Sequence, residues 1–174
     1  TGMLAAGGRI ALFTDADLSA PIEEAPKLLE PIRAGHVPIA IGSRGVDKSM
    51  IGVHQPLGRE VAGRVFNLAS RIVTGLSFKD MQCGFKAFRR DASHDIFSRV
   101  RIDRFGFDVE ALFLARKLGY VVREVPVVWN NVEGSKVGLA SGAHGFVELA
   151  RIRMNHLRGL YETPAVAPPV SSVA

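Results

Sequence analysis

Two aspartates, Asp15 and Asp17, directly follow a short apolar segment, RIALFT at residues 9–14. The segment predicts a buried strand, and residues two apart in a strand point to the same side. Two such carboxylates repel each other and resist removal from water unless a divalent cation offsets their charge. Mg²⁺ binds one or two carboxylates and completes its shell with water and phosphate oxygens. The pair therefore predicts a Mg²⁺ or Mn²⁺ site that also takes a diphosphate.

The residues alone leave three interpretations of this acid pair open. In the first, the pair lies in a solvated loop and Asp17 caps the helix that follows Pro21. In the second, the chain is a metal-dependent phosphatase of the haloacid dehalogenase type, which begins with D-x-D-x-[TV] and uses the first aspartate as nucleophile. Here Ser19 occupies the fifth position, and the later acidic pair of that class is absent from the sequence. In the third, the pair holds the metal of a nucleotide-sugar glycosyltransferase.

Alternating apolar segments and amphipathic segments must position these acids. The order of strand and helix patterns predicts an α/β fold, with ligands at the carboxyl ends of the strands. A glycine-rich segment without periodicity, 44–58, predicts a long loop. Strands are predicted at 9–14, 37–44, 83–90 and 120–129, and helices at 22–35, 59–75, 105–119 and roughly 142–160.

The helix predicted at 59–75 separates apolar from basic side chains. One side carries valine, leucine and isoleucine, and the other carries glutamate, asparagine and arginine, as in an amphipathic helix. Its arginines are candidates for binding a phosphate acceptor or, alternatively, form a solvated basic surface. The apolar side consists of Val61, Val65, Leu68 and Ile72, and the arginines are Arg59, Arg64 and Arg71.

Composition narrows the classes of partner. The chain has 174 residues, a net charge of +5 and one cysteine, Cys83, which excludes an internal disulfide. A mild basic excess suits phosphate-bearing ligands or an anionic membrane surface, but it is too scattered to indicate nucleic acid. The Pro/Ala/Val/Ser-rich end, 161–174, predicts a disordered tail after a single domain at 1–160. The last predicted helix, with Arg151, Arg153 and Arg158, either lies on a membrane surface or is simply solvated.

Several motifs, in order along the chain, carry a family resemblance. They are FTDADLSAP, IGSRG, DMQCGFKAFRRD, RFGFDVEALFLARKLGY and EVPVVWNNVEGSK. Together they resemble the inverting GT-A glycosyltransferases of the dolichyl-phosphate glucosyl- and mannosyltransferase group, with QCGFK, FDVE and EGSK closest to the glucosyl branch. The resemblance runs from residue 1 to about residue 160. Family members carry further residues upstream that bind the nucleotide base, so we expect an N-terminally truncated member.

The resemblance implies roles for individual residues. Asp15 and Asp17 match the metal and diphosphate aspartates, and Arg44 matches an arginine that faces the reacting phosphates. Asp17 and Arg44 are therefore the predicted catalytic residues. Asp108 and Glu110 are either helix-stabilising acids or part of the floor of the acceptor pocket. The remaining predicted substrate-binding residues are Gly42 and Ser43 in the turn, Gln82, Gly84 and Phe85 at the sugar and acceptor pocket, Ser135 and Lys136 in a loop near the donor phosphates, and Arg59 and Arg64 on the acceptor side.

The reaction implied is metal-dependent, inverting transfer of a hexose, with glucose favoured. The donor would be UDP-glucose or GDP-mannose and the acceptor a polyprenyl or dolichyl phosphate, whose anionic oxygen needs no dedicated general base. The enzyme would contact the cytoplasmic face of a membrane peripherally, in a bacterial cytoplasm. Two alternatives remain: the phosphatase, and an inactive truncated remnant of a glycosyltransferase.

Overall fold

The structure of the chain is a computed structural model that describes residues 2–47, 49, 51–53, 57–104, 106–130 and 139–162. Strands and helices alternate, which confirms the predicted α/β class. A 3₁₀ turn at Ile22–Glu24 precedes the second helix. The strands are β1 (Ile10–Thr14), β2 (Ile39–Ser43), β3 (Ile51–Val53), β4 (Phe85–Arg89), β5 (Val122–Pro126) and β6 (Trp129–Asn130). The helices are α1 (Gly2–Ala5), α2 (Ala25–Arg33), α3 (Leu57–Thr74), α4 (Arg90–Phe97), α5 (Phe107–Lys117) and α6 (Leu139–Leu157).

The main sheet has the strand order β1-β4-β2-β5. Strand β4 runs antiparallel to both of its neighbours, with Thr14 opposite Phe85, whereas β2 and β5 are parallel and pair Ser43 with Pro126. The carboxyl ends of β1, β2 and β5 therefore meet the amino end of β4 at one edge of the sheet. The predicted acid pair and the Gly-Ser-Arg turn both follow strands that end at this edge. A second, two-stranded sheet pairs β3 with β6.

Helices cover both faces of the main sheet. Alternate residues of β2 point to opposite faces, so Ile39 and Ile41 join one core cluster and Ala40 joins the other. The first cluster lies under α4 and α5, and the second packs against Leu28 and Ile32 of α2. Strand β2 is buried along its whole length, as expected for an inner strand covered on both faces. This rigid centre holds the loops at the sheet edge in place.

Helix α3 does not pack through its apolar side. Its inward-facing side carries Phe66, Ser70 and Thr74, which are all buried. The hydroxyl groups of Ser70 and Thr74 can be buried because each donates a hydrogen bond to the backbone carbonyl four residues earlier, at 2.8 and 2.6 Å. The apolar side named above, Val61, Val65, Leu68 and Ile72, is exposed instead.

Element boundaries differ from the sequence prediction in four places. The predicted loop 44–58 contains β3 and the start of α3, and helix α4 was not predicted at all. Strand β6 is a separate short strand rather than the end of one at 120–129. The domain also extends past residue 160, since Tyr161 is 1% exposed and its hydroxyl donates to Glu110 Oε1 at 2.5 Å. The prediction of a disordered tail from residue 161 is therefore wrong at its start, and residues 163–174 lie outside the described part.

None of the helices in the described ranges is both long enough and apolar enough to cross a lipid bilayer.

Candidate active site

The acid pair lies in a tight turn immediately after β1. The backbone N–H of Asp15 donates to the carbonyl of Gly84 at 2.8 Å, and the N–H of Leu18 donates back to the Asp15 carbonyl at 3.1 Å. Leu18 has φ of 51°, a left-handed conformation that is uncommon outside glycine. Asp17 Oδ1 accepts the N–H of Ser19 at 2.9 Å, which fixes the second carboxylate as well. Both acids are exposed, so a ligand can reach them.

The ionised form of Asp15 is disfavoured in the folded protein. Partial removal of its carboxyl group from water raises its pKa most, and the negative charge of Asp17 raises it further. The positive charges of Lys86 and Arg44 act in the opposite direction. Two carboxylates that repel each other in this way would be stabilised by a divalent cation.

Gly84 leaves the space that the Asp15 carboxylate occupies. A Cβ atom at position 84 would lie only 2.1–2.3 Å from the carboxyl atoms of Asp15. The resemblance implied a place in the sugar and acceptor pocket for Gly84. In the structure Gly84 lies against the Asp15 carboxyl group, and its carbonyl oxygen accepts the backbone N–H of Asp15.

Replacing Gly84 with alanine is expected to lower activity strongly while the protein still folds. The added methyl group forces the Asp15 carboxylate out of its position, because those distances are far shorter than any real Cβ contact. Activity and the melting temperature should be measured together, with Gly58→Ala as the control, since nothing lies within 4 Å of a Cβ there. Wild-type activity in Gly84→Ala would contradict the assigned position of Asp15.

A buried ion pair supports the acid pair from within the sheet. Lys86 is fully buried, and its ammonium group donates to Asp108 Oδ1 at 2.9 Å and to the Cys83 carbonyl at 2.6 Å. Burial raises the pKa of Asp108, and Lys86 opposes this rise. The structure shows Asp108 in an ion pair with buried Lys86, whose positive charge acts on Asp15. Nothing in the sequence marked Lys86 as part of the site.

Glu110 has a separate structural role. Its Oε2 accepts the backbone N–H groups of Arg101 and Ile102, both at 2.9 Å, and its Oε1 accepts the hydroxyl of Tyr161. Glu110 therefore ties the segment before α5 to the end of the domain. These contacts leave it no place among the residues that surround Asp15.

Arg44 forms a two-pronged ion pair with Asp80. Its Nε and Nη2 atoms donate to Asp80 Oδ2 and Oδ1 at 2.6 and 2.9 Å, and its backbone N–H donates to Oδ2 at 3.1 Å. The guanidinium carbon lies 5.2 Å from the ring centre of Trp129, close enough for a cation–π contact. The resemblance implied that Arg44 faces the reacting phosphates, whereas in the structure its Nε and Nη2 atoms both donate to Asp80. The charge of Arg44 still acts on Asp15 and opposes the rise in its pKa.

Glu124 holds the segment that carries Asp80. Its Oε1 accepts the Ser43 hydroxyl at 2.7 Å and the Asp80 N–H at 2.8 Å, while its Oε2 accepts the Lys79 N–H at 3.0 Å. The end of β2, the segment before β4 and strand β5 are thereby joined through one carboxylate. Neither Asp80 nor Glu124 was predicted from the sequence as a site residue. The only sequence signal for them was their place within the motifs DMQCGFK and EVP.

The pH dependence of stability tests the Asp80–Arg44 pair. Burial would raise the pKa of Asp80, but the charge and hydrogen bonds of Arg44 prevail and hold that pKa below its ordinary value of 3.8. Such a carboxyl stabilises the fold above its unfolded pKa, and the contribution is lost as pH falls through the folded value.

We expect the unfolding free energy of wild type minus that of Asp80→Asn to stay level near neutral pH and to shrink below pH 3.8. Urea denaturation at a series of pH values measures it, with exposed Asp103→Asn as control. A difference independent of pH would contradict the pairing.

The predicted substrate-binding residues fall into three groups. Gly42, Ser43 and Phe85 are buried, so they support the site and do not line its surface. Gln82 lies partly exposed beside Asp80, to which its N–H donates at 3.1 Å. Gly84 lies against Asp15, as described above. Of the rest, Arg64 is exposed on α3, and Arg59 is described only as part of the α3 backbone. Ser135 and Lys136 lie outside the described residues.

The donor set of the acid pair fits Mg²⁺ or Mn²⁺. Within the described ranges, no group of three or more histidine, cysteine, aspartate or glutamate side chains converges on one point. Two exposed carboxylates are nevertheless a set that such hard cations accept, with water and phosphate oxygens as the other ligands. Asp17 uses Oδ1 for the Ser19 N–H, which leaves Oδ2 available.

Comparisons with known proteins place the chain among glycosyltransferases. The family model described as glycosyl transferase family 2 matches residues 1–97. The dolichyl-phosphate beta-glucosyltransferase of Dictyostelium discoideum is 31% identical over 167 residues, which cover 92% of this chain and 51% of that protein. The enzyme of the same name from Saccharomyces cerevisiae is 32% identical over 179 residues, with 92% and 52% covered. The chain thus spans about half the length of these curated relatives.

A solved structure shows the same fold. Glucosyl-3-phosphoglycerate synthase from Mycobacterium tuberculosis, in complex with uridine diphosphate, aligns with a TM-score of 0.60 at 17% identity and covers 88% of this chain and 52% of that one. The GT-A fold predicted from the motifs is confirmed. The alternative of a phosphatase of the haloacid dehalogenase type is excluded by the family match. By its family match, its relatives and its fold, the chain belongs to glycosyl transferase family 2.

Proposed function

We propose that the chain carries the diphosphate and acceptor portion of an inverting transferase, which moves a hexose, with glucose favoured, from a nucleotide sugar to a polyprenyl or dolichyl phosphate. The observation that carries the proposal is the exposed pair Asp15 and Asp17, with the positive charges of Lys86 and Arg44 directed at Asp15. The names of the curated relatives support the acceptor, and they support glucose over mannose. We place the reaction at the cytoplasmic face of a membrane, because the acceptor is a long lipid.

In this proposal Asp15 and Asp17 hold a Mg²⁺ or Mn²⁺ ion. When bound, the ion would neutralise charge on the diphosphate leaving group. Asp15 is kept in place by Gly84 and by the turn at Leu18, so the carboxylates need little reorganisation. The positive charges of Lys86 and Arg44 offset the accumulation of negative charge where an anionic acceptor approaches an anionic donor.

No side chain is assigned as general base. A phosphate monoester is already an anion near neutral pH, so its oxygen can attack the anomeric carbon without losing a proton first. Attack from the side opposite the diphosphate inverts the anomeric configuration. The acids that could compete for the role of base, Asp80 and Asp108, are engaged by Arg44 and Lys86.

Calorimetry with UDP-glucose tests the donor half of the proposal. We expect weak binding that requires Mn²⁺ and disappears in Asp17→Asn, since the diphosphate contributes most of the contacts available in this part of the fold. GDP-mannose serves as the competing donor. Binding of equal strength with and without the metal would contradict the assignment of the acid pair, and preference for GDP-mannose would overturn the choice of glucose.

A further inference from the structure

Helices α3 and α6 lie side by side, and each exposes apolar side chains. The ring of Phe66 on α3 meets that of Phe146 on α6 edge to face at 5.3 Å. Large exposed apolar patches on soluble proteins mark sites of interaction with proteins or membranes. The exposed apolar side chains are Val61, Val65, Leu68 and Ile72 on α3, and Phe146, Val147, Met154 and Leu157 on α6. We refer to this set as the α3–α6 face.

The exposed charged side chains described on these two helices are positive. In the described stretches 61–74 and 144–158, the one acidic residue is Glu148, which is buried and accepts the N–H of Gly106 at 2.7 Å. Any partner of the face must therefore tolerate or supply negative charge. The arginines of these stretches are Arg64, Arg71, Arg151, Arg153 and Arg158.

A cleft of about 660 Å³ opens where the ends of α3, α5 and α6 meet. Arg153 and His156 of α6 line it beside Ile72 of α3. Two further cations at the cleft already have partners, since Arg116 donates to the Gly75 carbonyl and Lys117 pairs with Glu162 at 2.8 Å. Ile72 and Leu157, at 74% and 72% exposed, are the most exposed large apolar side chains in the described part of the chain. The cleft thus combines basic groups with an apolar border.

We propose that the α3–α6 face docks onto an anionic lipid surface, with a headgroup phosphate at Arg153 in the cleft. The apolar side chains enter the boundary between headgroups and acyl chains, and the arginines meet lipid phosphates, as in other interfacial amphipathic helices. A second copy of the chain fits less well, because a two-fold contact would bring two basic surfaces of the same kind together. The inference rests on the proposed function only in that a polyprenyl phosphate acceptor lies in a bilayer.

Vesicle binding tests the face without any transfer reaction. The protein is sedimented with vesicles of phosphatidylcholine, alone or with about one third phosphatidylglycerol, and without polyprenyl phosphate or donor. We expect roughly tenfold or stronger partitioning onto the anionic vesicles, and a marked fall as salt is raised to about 1 M. Soluble glycerol phosphate is the competing probe, and the vesicles should retain the protein in its presence.

Paired variants separate the apolar and the charged contributions. Leu68→Glu with Ile72→Glu should reduce vesicle binding by roughly tenfold or more, whereas Val121→Glu, at an exposed valine ahead of β5, should leave it unchanged. Arg153→Glu with Arg158→Glu should cause a similar loss, with Arg33→Glu on α2 as control. Melting temperatures confirm that each variant folds.

Three results would overturn the inference. The first is equal binding to neutral and anionic vesicles, and the second is wild-type vesicle binding by the face variants. The third is a wild-type protein that is a dimer by light scattering and does not bind vesicles, together with face variants that are monomers. Release by soluble glycerol phosphate would reassign the cleft as a site for free phosphate esters. Vesicle binding without sugar transfer would leave the docking surface intact and count against the proposed function alone.

Discussion

Asp17→Asn is expected to abolish sugar transfer while the fold remains intact. Asparagine keeps the size of the side chain and can still accept the Ser19 N–H, but it removes the anionic oxygen available to a divalent cation. Asp15→Asn should be equally inactive. Transfer assays with saturating Mn²⁺ measure the loss, and exposed Asp103→Asn serves as the matched control. Full activity in either site variant would contradict the metal assignment.

The same Asp15→Asn variant is expected to raise the stability of the metal-free protein at neutral pH. The pKa of Asp15 is higher in the folded chain than its ordinary value of 3.8, so ionised Asp15 lowers stability once pH rises through the folded value. Below pH 3.8 wild type and variant should converge, because the carboxyl is protonated in both states. Adding Mn²⁺ should reverse the order, since only wild type gains stability from the ion.

Arg44→Lys is expected to lower activity by about tenfold or more, on the order of the 1.5–3 kcal/mol of a hydrogen bond to a charged group. Lysine keeps the positive charge but cannot reproduce the paired Nε and Nη2 contacts to Asp80. The segment that carries Asp80 and Gln82 would lose two of its contacts to the end of β2 and keep those made by the Arg44 backbone N–H and by Glu124. Activity near the wild-type level would show that the geometry of this pair does not matter to the reaction.

The chain offers a matched control for this substitution. Arg89 and Asp91 form the same two-pronged pair at 2.7 and 2.7 Å, but both side chains are largely exposed. Exposed ion pairs contribute little, so Arg89→Lys should leave both activity and stability nearly unchanged. Comparable losses in the two variants would attribute the effect to general weakening of the fold, not to the site.

The sequence predicted the elements that have a clear period. Strand β1 and helix α5 lie within one to two residues of their predicted ranges. The ranges predicted for α3 and α5 end at Gly75 and Gly119, which both have positive φ. Strands β3 and β6 have three and two residues, too few for any periodicity. Helix α4 begins directly after β4 at Arg90, with no intervening turn residues to mark a boundary.

The orientation of α3 shows where hydrophobic pattern is insufficient. Its apolar residues predict a packed side, but Ser70 and Thr74 form their hydrogen bonds within the helix and so can face the core. Pattern alone does not reveal that a hydroxyl group is already satisfied by its own backbone. It also cannot reveal that the apolar side is available for a partner.

The acid pair of the candidate site was predictable from the sequence, but the residues that hold it in place were not. Asp15 and Asp17 are separated by one residue, so their joint role follows from spacing. The partners of Arg44, Ser43 and Lys86 lie 36, 81 and 22 residues away, and only the fold brings them together. A carboxylate such as Glu124, which acts through backbone N–H groups, leaves no pattern in a single sequence.

Transfer of labelled glucose from UDP-glucose to polyprenyl phosphate tests the central claim most directly. Donor is supplied at millimolar concentration with Mn²⁺, and lipid and water-soluble products are separated. The account predicts a glucosyl lipid that is lost on chelation of the metal and in Asp17→Asn. Absence of labelled lipid at high protein concentration, release of the label as free sugar, or an equal yield from Asp17→Asn would contradict it.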